Sequence, residues 1–273
     1  MIYHYCSVEN FYNIINSKEF WLFSAFDMND KLETTWINLI IRDVLSKDKF
    51  RTIPKECLDF IGLAYDVNQF SPYFSCFSKD GDVLSQWRAY ASDGTGVAIG
   101  IDEKELGVKY ELPSHGANST LPTGLCECIY DKQIQIKNIE ELFSLDEINK
   151  LPAQNNFALQ QIGLTLRQLS LVYKNPKFVE EQEVRLIHVP LIFTDGKNTK
   201  MILGNISPMC FKANHENILP YFKFNLKELF SSKLIPEIYF GPKCKLNDIV
   251  IRNFLDYNGL KETKIIVSEA SYR

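Results

Sequence analysis

The chain is poor in the features that mark whole classes of protein. No apolar run approaches the roughly 20 residues that span a bilayer, and the start Met1-Ile2-Tyr3-His4 has neither a basic n-region nor a long apolar core. Membrane contact and secretion are therefore not expected, and the chain reads as cytoplasmic. Charge of one sign is also scarce: 30 Lys and Arg against 34 Asp and Glu leave a net −4. That balance supplies no global attraction to nucleic acid or anionic lipid, although a local basic groove stays open. Cysteine is odd in number, at positions 6, 57, 76, 126, 128, 210 and 244. These read as reduced thiols. Cys126-Glu127-Cys128 lacks the second pair or the spaced histidines of a zinc site, so no metal ligands are expected there.

Apolar and aromatic residues are plentiful, with 19 Phe, 13 Tyr and a hydrophobic share of 45% among 273 residues. Such a composition suits a β-rich core. Hydrophobic spacing predicts strands at 3–7, 20–23, 73–78, 97–101 and 184–189, with others near 201–203, 212 and 235–242 and a last one at 264–267. Helices are predicted at 8–17 with Ser7 as N-cap, at 32–46, 53–65 and 82–90 with an acid as cap, and at 139–150, 153–172 and 246–257. Segments 109–112 and 125–130 are expected to pair as antiparallel strands. No repeat, linker or low-complexity tract divides the chain, which leaves one α+β domain over 1–273.

Several constellations could carry chemistry. His4 lies on the first strand between Tyr3 and Tyr5, and is either a ligand-binding imidazole or a core-edge histidine satisfied by backbone. Asn29, Asp30 and Glu33 fit a capping box, which explains them without a ligand. Trp87 and Tyr90 share a helical face at three-residue spacing, as core packing or as a wall for a flat ring, with Arg88 placed to meet a phosphate. Asp93-Gly94-Thr95-Gly96 precedes a strand and not a helix N-terminus, so it reads as a tight turn and not as a phosphate loop.

Glu181-Gln182-Glu183-Val184-Arg185 alternates charge at two-residue spacing. On one strand that spacing turns both carboxylates and the guanidinium to one face, toward water or toward a ligand.

Taken together, the blocks Tyr3-His4-Tyr5-Cys6-Ser7, Leu22-Phe23-Ser24 with Asn29-Asp30 and Glu33, Ser75-Cys76-Phe77-Ser78, Leu84 to Tyr90 with Gly96 to Ile101, Lys177 through Arg185, and Ile235 to Pro242 resemble a bacterial family, domain-of-unknown-function family 2971. Lys31 departs from the family's usual proline, and no tryptophan precedes the glutamate pair.

At the level of fold the order of elements is similar to the ADP-ribosyltransferase superfamily of the His-Tyr-Glu type. That resemblance implies a central, mostly antiparallel, split sheet flanked by helices, with NAD as substrate. It also implies roles. His4 would hold the NAD ribose, Glu183 would stabilise the ribose cation, and Glu181 would position the acceptor. Tyr5, Trp87 or Tyr90 would face nicotinamide, with Ser7, Ser24, Arg88 and Arg185 completing the binding set. The acceptor would be a nucleic acid or protein, and the setting a toxin or phage-defence effector with a neutralising partner. Two other readings stay open: a nuclease or phosphodiesterase holding Mg²⁺ through Asp30, Glu33, Glu181 and Glu183, and a non-catalytic sensor or interaction module. The transferase reading requires His4 and Glu183 to face one cleft.

Overall fold

The computed structural model describes residues 1–27, 35–66, 71–115, 120–144, 148, 156–194, 199–213 and 217–272. The capping box at Asn29, Asp30 and Glu33 lies outside them. Strand β1 (Ile2–Cys6) leads into helix α1 (Val8–Ser17), as the spacing of Phe11, Ile14 and Ile15 requires. Ser7 caps that helix by accepting from the Asn10 amide at 3.1 Å, and Lys18 ends it in the left-handed conformation. Strand β2 (Glu19–Ser24) begins directly after that turn. Beyond it lie α2 (Trp36–Leu45), α3 (Lys55–Tyr65), β3 (Tyr73–Ser78), α4 (Leu84–Tyr90) and β4 (Val97–Ile101). All five residues of β4 are buried, which explains its unbroken apolar run.

After a short β5 (Ser114–His115) and β6 (Thr120–Leu121) come β7 (Thr123–Glu127), α5 (Lys132–Leu142) and α6 (Asn156–Leu169). Strand β8 (Glu183–His188) comes after a 3-10 turn, Pro176–Glu181. Strands β9 (Leu191–Thr194) and β10 (Thr199–Leu203) form a separate hairpin. The chain finishes with β11 (Cys210–Ala213), β12 (Ile218–Asn225), β13 (Glu237–Phe240), α7 (Asp248–Tyr257) and β14 (Lys264–Val267). The class is α+β, and among the described residues no helix is long and apolar enough to cross a membrane.

Ten strands make one open sheet in the order β11-β12-β2-β3-β1-β4-β13-β14, with β8 and then β7 attached at β3. Among the described strands of this sheet, only β13 and β14 run parallel. Strand β3 has three neighbours. All six of its residues pair with β8 on one edge. On the other edge β2 holds only Tyr73 and Phe74, and β1 holds only Ser78. Strands β1 and β2 therefore part along the middle of β3, and the sheet is split there. One apolar core, including Phe11, Phe20 and Leu255, fills the side of α1 and α7. A second, including Ile37, Phe74 and Leu166, fills the side of α2, α3, α5 and α6.

The structure corrects several expectations. Strand β7 pairs with β8, and only a single backbone bond links Leu125 to Lys109. Strand β12 went unpredicted because Pro220 interrupts its pattern, yet Pro220 sits where the sheet tolerates a missing donor, opposite Phe211 near the edge. Helix α4 is capped by Val83 without a side-chain bond. Asp82 instead accepts from the Trp87 indole at 2.6 Å and from Ser268 and the Glu269 amide, which pins the C-terminal segment.

The Gly94–Gly96 turn is a backbone crossing. A Cβ on Gly96 would stand 2.1 Å from the Cys6 carbonyl, and Gly241 donates to the Gly96 carbonyl at 3.0 Å. Gly96→Ala is therefore expected to cost about 1–3 kcal/mol or more through forced backbone displacement, measured as a lowered urea midpoint with an unchanged slope.

Candidate functional site

A cleft of about 810 Å³ opens at the split in the sheet, within the usual range for small-molecule sites. Its walls come from β1 (His4, Tyr5), β2 (Phe20, Trp21), β3 (Ser75 to Ser78) and α1 (Asn10, Asn13). Tyr90 of α4 closes one side, together with Lys174, Phe178, Glu181 and Glu183.

Register decides which side chains share a face. Tyr3 pairs with Ser78 and Ser78 with Glu183, so these three project to one side. His4 belongs to the opposite face, against Phe20 and Phe77 at ring-centroid distances of 5.4 and 5.5 Å. Because the strands have parted, His4 and Glu183 nevertheless line the same cleft. The His4 imidazole stands in for the missing strand contact: its Nδ1 lies 2.9 Å from the Cys76 carbonyl and must donate to it. Burial lowers the imidazole's pKa and outweighs that bond, so the ring is neutral at pH 7 with Nε2 as its acceptor.

The glutamate row is neither solvated nor on one strand. Glu181 ends the 3-10 turn, Gln182 takes a left-handed conformation with φ 42°, and only Glu183 and Arg185 share β8. Lys174 reunites the two acids. Its ammonium bonds Glu181 and reaches Glu183 Oε2 at 2.5 Å. Arg185 is fully buried and holds Glu183 from the other side, Nε to Oε1 at 2.9 Å and Nη2 to Oε2 at 3.1 Å. Its Nη1 donates to the Leu171 carbonyl at 2.7 Å, and its guanidinium lies over the Phe74 ring at 4.9 Å. The Cys128 thiol adds a fourth donor to Glu183, and the Glu183 amide donates to the Tyr130 hydroxyl at 3.0 Å. The Tyr90 hydroxyl donates to Glu181 at 3.1 Å. Two acids and two bases thus form a charge-balanced cluster.

Burial alone would raise the Glu183 carboxyl, but Arg185 and Lys174 outweigh it and hold the group well below the ordinary carboxylate range. A depressed native pKa contributes stability that is complete above the unfolded value, about 4.3, and is lost as pH falls toward the native one. Denaturation across pH is expected to show an acid limb below about pH 4.3 that is reduced in Glu183→Gln.

Of the other sequence candidates, Ser7, Ser24, Trp87, Arg88 and Arg185 lie apart from the cleft lining. Ser7 is spent on the α1 cap, and Ser24 is buried and accepts from the Phe26 amide at 3.3 Å. Trp87 is fully buried against Tyr5, as a core residue, and Arg88 stands 5.7 Å from the Tyr272 ring. Tyr5 lines the cleft, but its hydroxyl is committed to the Asp80 carbonyl and the Val83 amide, both at 2.9 Å. Arg185 acts from behind Glu183. Sequence reasoning missed Lys174, which sits between two elements with no periodicity to mark it, and it gave no site role to Ser75 and Ser78, which line the cleft. Among the described residues no group of three His, Cys, Asp or Glu side chains could hold a metal ion.

Fold and site together define an α+β protein with a ligand-sized cleft at a split in its sheet and a buried ion cluster in the cleft wall. Residues 86–186 match the profile of a family described as "Protein of unknown function (DUF2971)". That stretch runs from α4 into β8 and contains Tyr90, Lys174, Glu181, Glu183 and Arg185, so the family resemblance seen in the sequence holds over the ion cluster. No curated protein and no solved structure matches the chain.

Proposed function

We propose that the protein is an NAD-dependent ADP-ribosyltransferase whose reaction takes place in the split of the sheet. The observation that carries the reading is a cleft lined by a neutral histidine on β1, tyrosine and serine hydroxyls, and a pair of carboxylates bridged by Lys174.

In the reaction the bond between nicotinamide nitrogen and ribose C1′ breaks, and its electron pair leaves with neutral nicotinamide. Positive charge gathers on the ribose, and Glu183 stabilises it through a ribose hydroxyl. The acceptor's nucleophile bonds C1′, oriented by Glu181, and its proton passes to solvent. The carboxylate of Glu183 is already ringed by donors, including Lys174, Arg185 and the Cys128 and Cys76 thiols, so a ribose hydroxyl reaches it by displacing the flexible Lys174 ammonium. His4 Nε2 accepts from the sugar, and Tyr90 faces the leaving ring. Modification of a nucleic acid or protein at the expense of NAD suits a cytoplasmic toxin or phage-defence effector restrained by a neutralising partner.

Nicotinamide release from NAD is the test. Wild type is expected to release it and Glu183→Gln is not; equal rates in the two would end this reading. The saturation of Glu183 favours one alternative, a non-catalytic module in which the ion cluster braces the fork. That alternative allows a ligand-induced rise in melting temperature without turnover.

A further inference from the structure

The cleft has a second pole, remote from the carboxylates along the sheet. On the face that carries Glu183, β2 presents Trp21 and Phe23, β12 presents Tyr221 and β11 presents Lys212. Trp21 stacks on Tyr221 at 4.7 Å with an interplanar angle of 29°, and Phe23 leans on the same tyrosine at 5.4 Å. Both Trp21 and Phe23 are half-buried and line the cleft. Lys212 also lines it, with its ammonium 5.4 Å from the Trp21 ring centroid. Among the described residues Lys212 makes no ion pair, whereas the neighbouring Lys223 is paired with Glu19 at 3.1 Å.

A rigid aromatic platform beside an ammonium that pairs with no acid among the described residues, continuous with a cleft that already holds polar groups at its other end, fits a planar base joined to a phosphate. We infer that Trp21 and Lys212 form the subsite for the adenosine diphosphate end of a dinucleotide. The indole stacks on the purine, and the flexible lysine stem carries its ammonium from the ring to the pyrophosphate. A nucleic acid strand is the poorer occupant, because Glu19 borders the platform and the chain carries net negative charge. The identity of the far end of the dinucleotide rests on the NAD reading; the base-and-phosphate subsite does not.

Titration of ADP into the full chain tests the inference. Wild type is expected to bind ADP with quenching of tryptophan fluorescence, and Trp21→Leu to weaken binding about tenfold. Trp21→Phe keeps an aromatic face and is expected to fall between them. Lys212→Gln is expected to weaken ADP while leaving adenosine unaffected. Melting curves identify any variant that fails to fold, and Trp21→Phe then carries the test. Failure of wild type to bind ADP, or unchanged binding by a folded Trp21→Leu, overturns the subsite. So does a single-stranded oligonucleotide that binds through Trp21 while ADP does not. If ADP binding depends on Trp21 but NAD is never consumed, the transferase reading falls and the subsite stands. If NAD is consumed with the same KM by Trp21→Leu, the reverse holds.

Discussion

Glu183→Gln is expected to lower NAD turnover by on the order of 10²–10³-fold, the scale seen when one group facing transition-state charge is removed. The substitution keeps the shape of the side chain and removes its charge. It also leaves the cluster with Lys174 and Arg185 facing Glu181 alone, an excess of one buried positive charge. A fall in stability is therefore expected beside the loss of turnover, and the two must be separated. Replacing Lys174 as well, in Glu183→Gln with Lys174→Gln, returns the cluster to balance. That double variant is expected to recover much of the melting temperature and none of the activity. Recovery of both would make Glu183 a structural residue and not a participant in the reaction.

Arg185→Met is expected to destabilise the fold by about 3–5 kcal/mol, the range for breaking a buried ion pair by removing one partner. The side chain is fully enclosed, and its loss strips two donors from Glu183 and one from the Leu171 carbonyl. Against a total stability of about 5–15 kcal/mol for a typical domain, a loss of that size unfolds a large share of the molecules. Urea denaturation measures it directly. A loss below about 1 kcal/mol, the value of an exposed pair, would mean that the guanidinium is far better solvated than its enclosure implies.

Much of the fold was legible because local chemistry dictates it. Ser7, Phe11, Ile14 and Ile15 specify α1 without outside help, and the unbroken apolar run of β4 announces a strand covered on both faces. The split sheet came from resemblance and not from pattern, since it depends on where β1 and β2 meet β3, and register between distant strands leaves no mark on any one of them.

The site was legible in its atoms and not in its arrangement. The alternation from Glu181 to Arg185 suggested one strand face, but the left-handed Gln182 breaks that row before it begins. What rejoins the acids is Lys174, a residue on a connecting segment that only the folded chain brings to both. The reading of Trp87 as either core or ligand wall was decided by enclosure: the indole is fully buried and bonded to Asp82. Its helix neighbour Tyr90, three residues on, is the one that reaches the cleft.

The central claim is that the split between β1 and β2 is the NAD site. A crystal structure of the chain with a non-cleavable NAD analogue tests it most directly. The expected result is an analogue in the split, with a ribose hydroxyl on the Glu183 carboxylate, Lys174 displaced, and the nicotinamide ring beside Tyr90. An analogue bound elsewhere, or an empty split at saturating concentration, would contradict the account.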